Sequence, residues 1–147
     1  MARAVLALGS NLGDREGFLA FAVSSLSRLP HTQVVAQSQW RETEPVDVPE
    51  AFTELTFLNG AVLIETQLSP EVLLDAALAI EAEAGRVRTV RNGPRPLDVD
   101  LILYEGERRN TALLTLPHPR AHLRDFVLDP LRDLGFSAKD VQENRFP

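Results

Sequence analysis

Asp98-Val99-Asp100 puts two carboxylates one residue apart on a run, Leu97 to Tyr104, that is otherwise apolar. Successive side chains of a strand point to opposite faces, so Asp98 and Asp100 share one face while Val99 and Leu101 pack on the other. Two acids held side by side on a sheet lose hydration and repel each other. A divalent cation removes both penalties, and hard oxygen ligands that leave room for water and phosphate oxygens suit Mg²⁺. An edge strand with a solvated acidic face would show the same Asp-x-Asp pattern, so the neighbouring residues decide. The segment from Arg86 to Arg95 carries four arginines, Arg86, Arg88, Arg91 and Arg95, and no acid. Guanidinium groups bind phosphate bidentately and stay charged. Alone, such a run reads as a solvated basic loop. Beside a carboxylate pair it reads as a polyphosphate clamp, and the two together favour a nucleotide.

The elements that must position these groups follow from periodicity and punctuation. Ala4 to Leu8 is a short apolar strand and Gly9 to Gly13 a turn rich in Gly, Ser and Asn. Asp14 is the N-cap of a helix in which Phe18, Phe21, Ala22, Leu26 and Leu29 recur at helical spacing before Pro30 closes it. Val34 to Trp40 and Phe57 to Thr66 read as strands. Between them Glu42 to Thr56 is a polar, proline-marked loop, long enough to act as a lid, as the segment Gly85 to Pro96 is also expected to do. Ser69 as N-cap and Pro70 at the first position open a second helix, with Leu73, Leu74, Ala77, Leu78, Glu81 and Ala84 on its stripe and Gly85 at its end. Leu97 to Tyr104 is the carboxylate strand and Leu113 to Leu116 a returning strand. Pro117 to Arg124 is loop and short helix, Asp129 to Leu134 a further helical turn, and the tail from Ser137 carries no motif. The order strand, helix, strand, strand, helix, strand is that of an α+β, ferredoxin-like split β-α-β layer with helices packed on a mainly antiparallel sheet.

Composition narrows the function. A chain of 147 residues is one ordinary domain, read here as a single catalytic unit over 1–147. A net charge of −6 argues against nucleic acid and against a membrane surface, and no apolar stretch approaches the ~20 residues of a membrane span. The short apolar run at the N-terminus reads as a strand, not a leader, and a cytoplasmic monomer is the expected state. Without cysteine there is no disulfide, thiolate nucleophile or Cys-ligated zinc. The one lysine, Lys139, lies in the tail, so neither a P-loop nor a Schiff-base site can be built. Arginine and metal must handle any phosphate. His118 and His122 have the four-residue spacing of helical zinc ligands, but Pro119 and the missing glutamate motif argue against zinc.

Four separated stretches, Gly9-Ser10-Asn11-Leu12-Gly13, Phe57-Leu58-Asn59-Gly60-Ala61-Val62, Gly93-Pro94-Arg95-x-x-Asp98-x-Asp100 and Leu116-Pro117-His118-Pro119-Arg120, together resemble the 6-hydroxymethyl-7,8-dihydropterin pyrophosphokinase family, from about Ala4 to Phe136. The resemblance implies a ferredoxin-like fold and transfer of the β,γ-diphosphate of ATP to the pterin's 6-hydroxymethyl oxygen, with AMP released. It also implies that Asp98 and Asp100 hold two Mg²⁺ ions. By the same resemblance Arg86, Arg88, Arg95, His118 and Arg124 contact the phosphate chain, with Arg86, Arg95, His118 and Arg124 catalytic, and Glu81 orients the arginines at the ATP site. Phe57 and Phe126 match the pair that stacks on the pterin, and Asn59 the side chain that reads its edge. The backbone of Thr43, Glu44 and Val46 would complete the pterin pocket, and that of Leu101 and Thr115 would meet adenine. Gly9-Ser10-Asn11 would shape a turn beneath the pterin. Asn92 stands where some members carry an aromatic before Gly-Pro-Arg, and Leu78 where some have a polar side chain. Two other readings remain beside this one. A non-catalytic ferredoxin-like ligand-binding module would not need the aspartates, and an ordinary kinase would release ADP.

Overall fold

The computed structural model describes residues 1–44, 56–85 and 96–147. The expected lid segments therefore lie largely outside the described residues, as do Val46, Arg86, Arg88, Arg91, Asn92 and Arg95.

Strand β1 (Ala2–Ser10) runs through the centre of the sheet and includes Gly9 and Ser10, so the first turn begins only at Asn11. Helix α1 (Arg15–Ser27) starts where the Asp14 carboxylate accepts from the Gly17 amide at 3.0 Å, the N-cap read from the sequence. It buries Leu19, Ala22 and Leu26. The apolar run expected as one strand over 34–40 is two. Strand β2 (Thr32–Gln37) stops at Ser38, whose hydroxyl accepts from the Ala61 amide at 2.8 Å, and the chain resumes as β3 (Arg41–Thr43). Trp40, in the break, lies against Gly60, where any Cβ would overlap its ring. Glu42 and Thr43 therefore belong to a strand, not to the expected loop.

Strand β4 (Phe57–Thr66) is followed by α2 (Pro70–Glu83), which Ser69 caps by accepting from the Val72 amide at 3.2 Å. Its buried stripe is Pro70, Leu73, Ala77, Ile80 and Glu81. Leu78 was expected on that stripe but is 44% exposed, because Ile80 is the residue turned to the sheet. Strand β5 (Asp98–Tyr104) completes a sheet of order β2-β4-β1-β5, with β3 also on β4 and every pairing antiparallel. Each βαβ unit is split by a strand of the other, which is the ferredoxin-like arrangement.

One face of the sheet packs Leu6, Leu8, Val62, Ile64, Val99 and Leu101 against α1 and α2. The other packs Val5, Ala61, Ile102 and Leu103 against α3 (Asp125–Asp133) and α4 (Ala138–Glu143). Ile102 and Leu103 share that face because of a bulge: Val5 opposes Leu103 and Leu6 opposes Leu101, leaving Ile102 unpaired with β1. Helix α3 begins four residues before the expected turn at Asp129. The expected returning strand does not join the sheet. It forms a separate hairpin of β6 (Arg109–Asn110) and β7 (Thr115–Leu116). The motif-free tail folds as α4 under a capping box, Ser137 and Asp140 exchanging side-chain to backbone bonds of 2.9 and 3.1 Å.

Candidate active site

The sheet register builds the site. Gly9 pairs with Asn59 on one side and Asp98 on the other, and Ala7 pairs with Ala61 and Asp100. Paired residues share a face, so the two aspartates and Asn59 all stand on the α3 side of the sheet, separated only by residues with small side chains or none. Val99 and Leu101 are buried on the helix side, as the period of two requires.

A third carboxylate joins the pair. Glu81 sits one turn beyond Ala77 on the buried stripe of α2, at only 3% exposure, and its Oε2 accepts from the Val99 amide at 2.8 Å. The carboxylates of Glu81, Asp98 and Asp100 offer oxygens all within 4.8 Å of one another. Three acids this close repel unless positive charge or protons intervene. An all-oxygen, partly open donor set fits Mg²⁺ and does not suit the softer metals that prefer nitrogen and sulfur. Among the described residues this is the one such group.

β5 is an edge strand, and two of its outward-facing backbone groups are covered. Glu81 takes the Val99 N–H, and the His118 amide donates to the Ile102 carbonyl at 2.9 Å, which brings the chain after β7 across this edge. His118 Nδ1 accepts from the Arg120 amide at 3.2 Å, so the neutral ring carries its proton on Nε2. Burial first, and then the Arg124 charge, hold this imidazole below its ordinary titration range, with Asp98 opposing. His118 is thus a neutral donor near the acids. Arg124 precedes α3 at its N-cap, and its guanidinium lies over the Phe126 ring, 5.7 Å from the centroid.

Thr43, at the end of β3, pairs with Phe57, and its Oγ1 accepts from Asn59 Nδ2 at 2.6 Å. Phe57, Asn59 and Thr43 therefore share the face that carries the aspartates, and Phe126 opens the helix packed over it. Glu44 is exposed just beyond β3. Leu101 is buried in the helix-side core, and Thr115 is half-buried in β7. The sheet thus brings Asp98, Asp100, Asn59, Phe57 and Thr43 onto one face at one end.

Some contacts here carry no signal in the sequence. Arg41 is bidentate to Asp133 at 2.6 and 2.7 Å, tying β3 to the end of α3. Arg15 donates to Glu42 at 3.2 Å and to the Thr56 hydroxyl at 3.0 Å, joining the end of β3 to the approach to β4 from the other side. The partners are too far apart in sequence for any local pattern to couple them.

Residues 5–135 match the family model described as 7,8-dihydro-6-hydroxymethylpterin-pyrophosphokinase. A 2-amino-4-hydroxy-6-hydroxymethyldihydropteridine pyrophosphokinase of Methylorubrum extorquens is 45% identical over 92% of this chain and 84% of its own length. The Bacillus subtilis protein of the same name is 44% identical over 89% of this chain and 77% of its own. A crystal structure of an HPPK-DHPS in complex with substrates superimposes with a TM-score of 0.67 at 13% identity, covering 98% of this chain and 43% of that one, which supports the fold. With the family model matched from β1 to the end of α3, and Asp98, Asp100, Asn59 and Phe57 gathered on one face of a ferredoxin-like sheet, the chain belongs to the 7,8-dihydro-6-hydroxymethylpterin-pyrophosphokinase family.

Proposed function

We propose that this chain transfers the β,γ-diphosphate of ATP to the hydroxymethyl oxygen of 6-hydroxymethyl-7,8-dihydropterin in folate synthesis. The pterin oxygen bonds to the β-phosphorus, the bond from that phosphorus to the α,β-bridging oxygen breaks, AMP leaves, and the hydroxyl proton passes to solvent. The observation that carries this reading is the gathering of Asp98 and Asp100 beside Asn59 on one sheet face, with the Glu81 carboxylate reaching them at the edge of β5 and both substrates' proposed ligands flanking Gly9. The pyrophosphokinase names of the relatives support it.

Phosphoryl-group transfer depends on positioning and charge neutralisation more than on covalent help. Asp98 and Asp100, with Glu81 beside them, would hold two Mg²⁺ ions, whose charge would offset that of the phosphate oxygens. His118 donates from Nε2 to the phosphate chain, its neutral state suiting it to give a hydrogen bond without competing for the metal's place. Arg124 and the clamp residues Arg86, Arg88 and Arg95 add fixed positive charge. Phe57 and Phe126 stack on the pterin, Asn59 reads its edge, and the backbone of Thr43, Glu44 and Val46 closes round it. The backbone of Leu101 and Thr115 meets adenine. A monomer in the cytoplasm suits this activity, and among the described residues no helix is long and apolar enough to cross a membrane.

The deciding experiment incubates the protein with ATP, Mg²⁺ and 6-hydroxymethyl-7,8-dihydropterin and identifies the nucleotide released. AMP is expected. ADP would mean an ordinary kinase, and ligand binding without either product would mean a non-catalytic module.

A further inference from the structure

Asn59 is held from two sides, by the hydroxyl of Thr43, whose backbone is the part placed at the pterin, and by Gly9, which has no side chain. On one side its Nδ2 donates to Thr43 Oγ1 at 2.6 Å. On the other, its Oδ1 lies over Gly9, where a Cβ would come within 2.8 Å of that oxygen. Gly9 is strand residue, flanked by Asn59 and Asp98, and its backbone there is one that alanine can adopt, since no positive φ is recorded for it. The glycine is therefore not required by a turn. What it supplies is the space in which the carboxamide lies across β1.

We infer that Gly9 and the Thr43 hydroxyl are positioning residues for pterin recognition: together they fix the plane in which the Asn59 carboxamide meets the donor and acceptor edge of the ring. This rests on the proposed function above and deepens it. A planar amide reads a planar ring edge only when the two are nearly coplanar, and a carboxamide free to turn about its last torsion loses that match. Asn59 is 92% buried, so its side chain has few other places to go if either support is removed.

The two supports fail in different ways, which makes the idea testable. Gly9→Ala would push against the end of a side chain, not against backbone, so the fold should survive while the carboxamide is displaced. Thr43→Val keeps the shape of the residue and removes the hydroxyl, and Thr43→Ser restores it. Into the wild type and the three variants, an ATP analogue with Mg²⁺ is titrated by calorimetry, and pterin is then titrated into each protein saturated with that analogue, with melting temperatures recorded. Both Gly9→Ala and Thr43→Val are expected to weaken pterin binding about tenfold or more, to leave ATP-analogue binding within about twofold and to melt close to wild type, with Thr43→Ser near wild type for pterin. Unchanged pterin affinity in either variant, equal losses for both ligands, or failure of serine to rescue would overturn the inference. Failure of the wild type to bind pterin in the presence of the ATP analogue and Mg²⁺ would instead refute the proposed function.

Discussion

At the scale of single residues, the acids and His118 make opposite electrostatic demands. Glu81, Asp98 and Asp100 crowd negative charge into a few ångströms, so a shared cation relieves the repulsion among them. Asp98→Ala and Asp100→Ala should each abolish turnover while leaving the metal-free melting temperature unchanged or higher. Added Mg²⁺ should raise the melting temperature of the wild type and not of either variant, because only a site that binds the ion gains stability from it. Scanning calorimetry with EDTA and with Mg²⁺ checks this, and an equal rise in the variants would remove the aspartates from the metal site. His118 behaves differently, since burial and Arg124 disfavour its protonated form. With its folded value below the ordinary 6.5, the unfolded chain binds more protons in the interval between the two. Stability therefore falls as the pH drops through that interval. Urea midpoints followed from about pH 7 down to about pH 5 should decline more steeply for the wild type than for His118→Gln, and parallel curves would contradict the assignment.

Secondary-structure elements show where the sequence was legible and where it was not. Both long helices were readable because their caps are local: Asp14 and Ser69-Pro70 act on amides three residues away. The shared face of Asp98 and Asp100 was readable too, being a matter of period two. Glu81's place among them was not, because α2 and β5 are joined by a long segment and only the packed fold brings the helix end to the strand's edge. The break between β2 and β3 was also invisible. It is imposed across the sheet by Ala61, whose amide donates to the Ser38 hydroxyl, and by Gly60, which makes room for Trp40. Gly60 is thus needed for packing and not for its backbone freedom. Gly60→Ala should cost about 2 kcal/mol or more, as overpacking against a ring that cannot withdraw. Urea denaturation measures it, and a loss under about 0.5 kcal/mol would show that Trp40 can move aside. β3 itself is only three residues long, yet it carries Thr43. The Arg41–Asp133 pair and the Arg15 cluster hold it from opposite faces.

For the molecule as a whole, the sheet has two cores, and the second depends on a segment without sequence motifs. Val141 in α4 is fully buried with Leu131, Phe136 and Val5. Beyond it, Phe146 meets Phe136 edge-on at 5.3 Å and sits under the Arg3 guanidinium, also at 5.3 Å, while Arg3 reaches the Pro147 carbonyl at 3.0 Å. Composition alone gives no warning of this, since Ser137 to Pro147 is mostly polar. Deleting residues 137–147 should lower stability by a few kcal/mol, from the burial of Val141 at about 1.5–3 kcal/mol for a fully buried side chain and a smaller share from the half-buried Phe146. The urea midpoint checks it, and a truncated chain as stable as the full one would mean that α3 alone covers that face.

The covered outer edge of β5 has a consequence for how the molecules behave toward one another. A bare strand edge is a template on which another chain can add a strand, and long-lived proteins blunt such edges with charge or with a cover. Here the cover is Glu81 on the Val99 N–H and the His118 amide on the Ile102 carbonyl. The carboxylate that gathers with the aspartates is also a guard against self-association. Edge protection and chemistry are thereby coupled at one side chain: whatever draws Glu81 away from Val99 leaves one N–H of that edge without its cover.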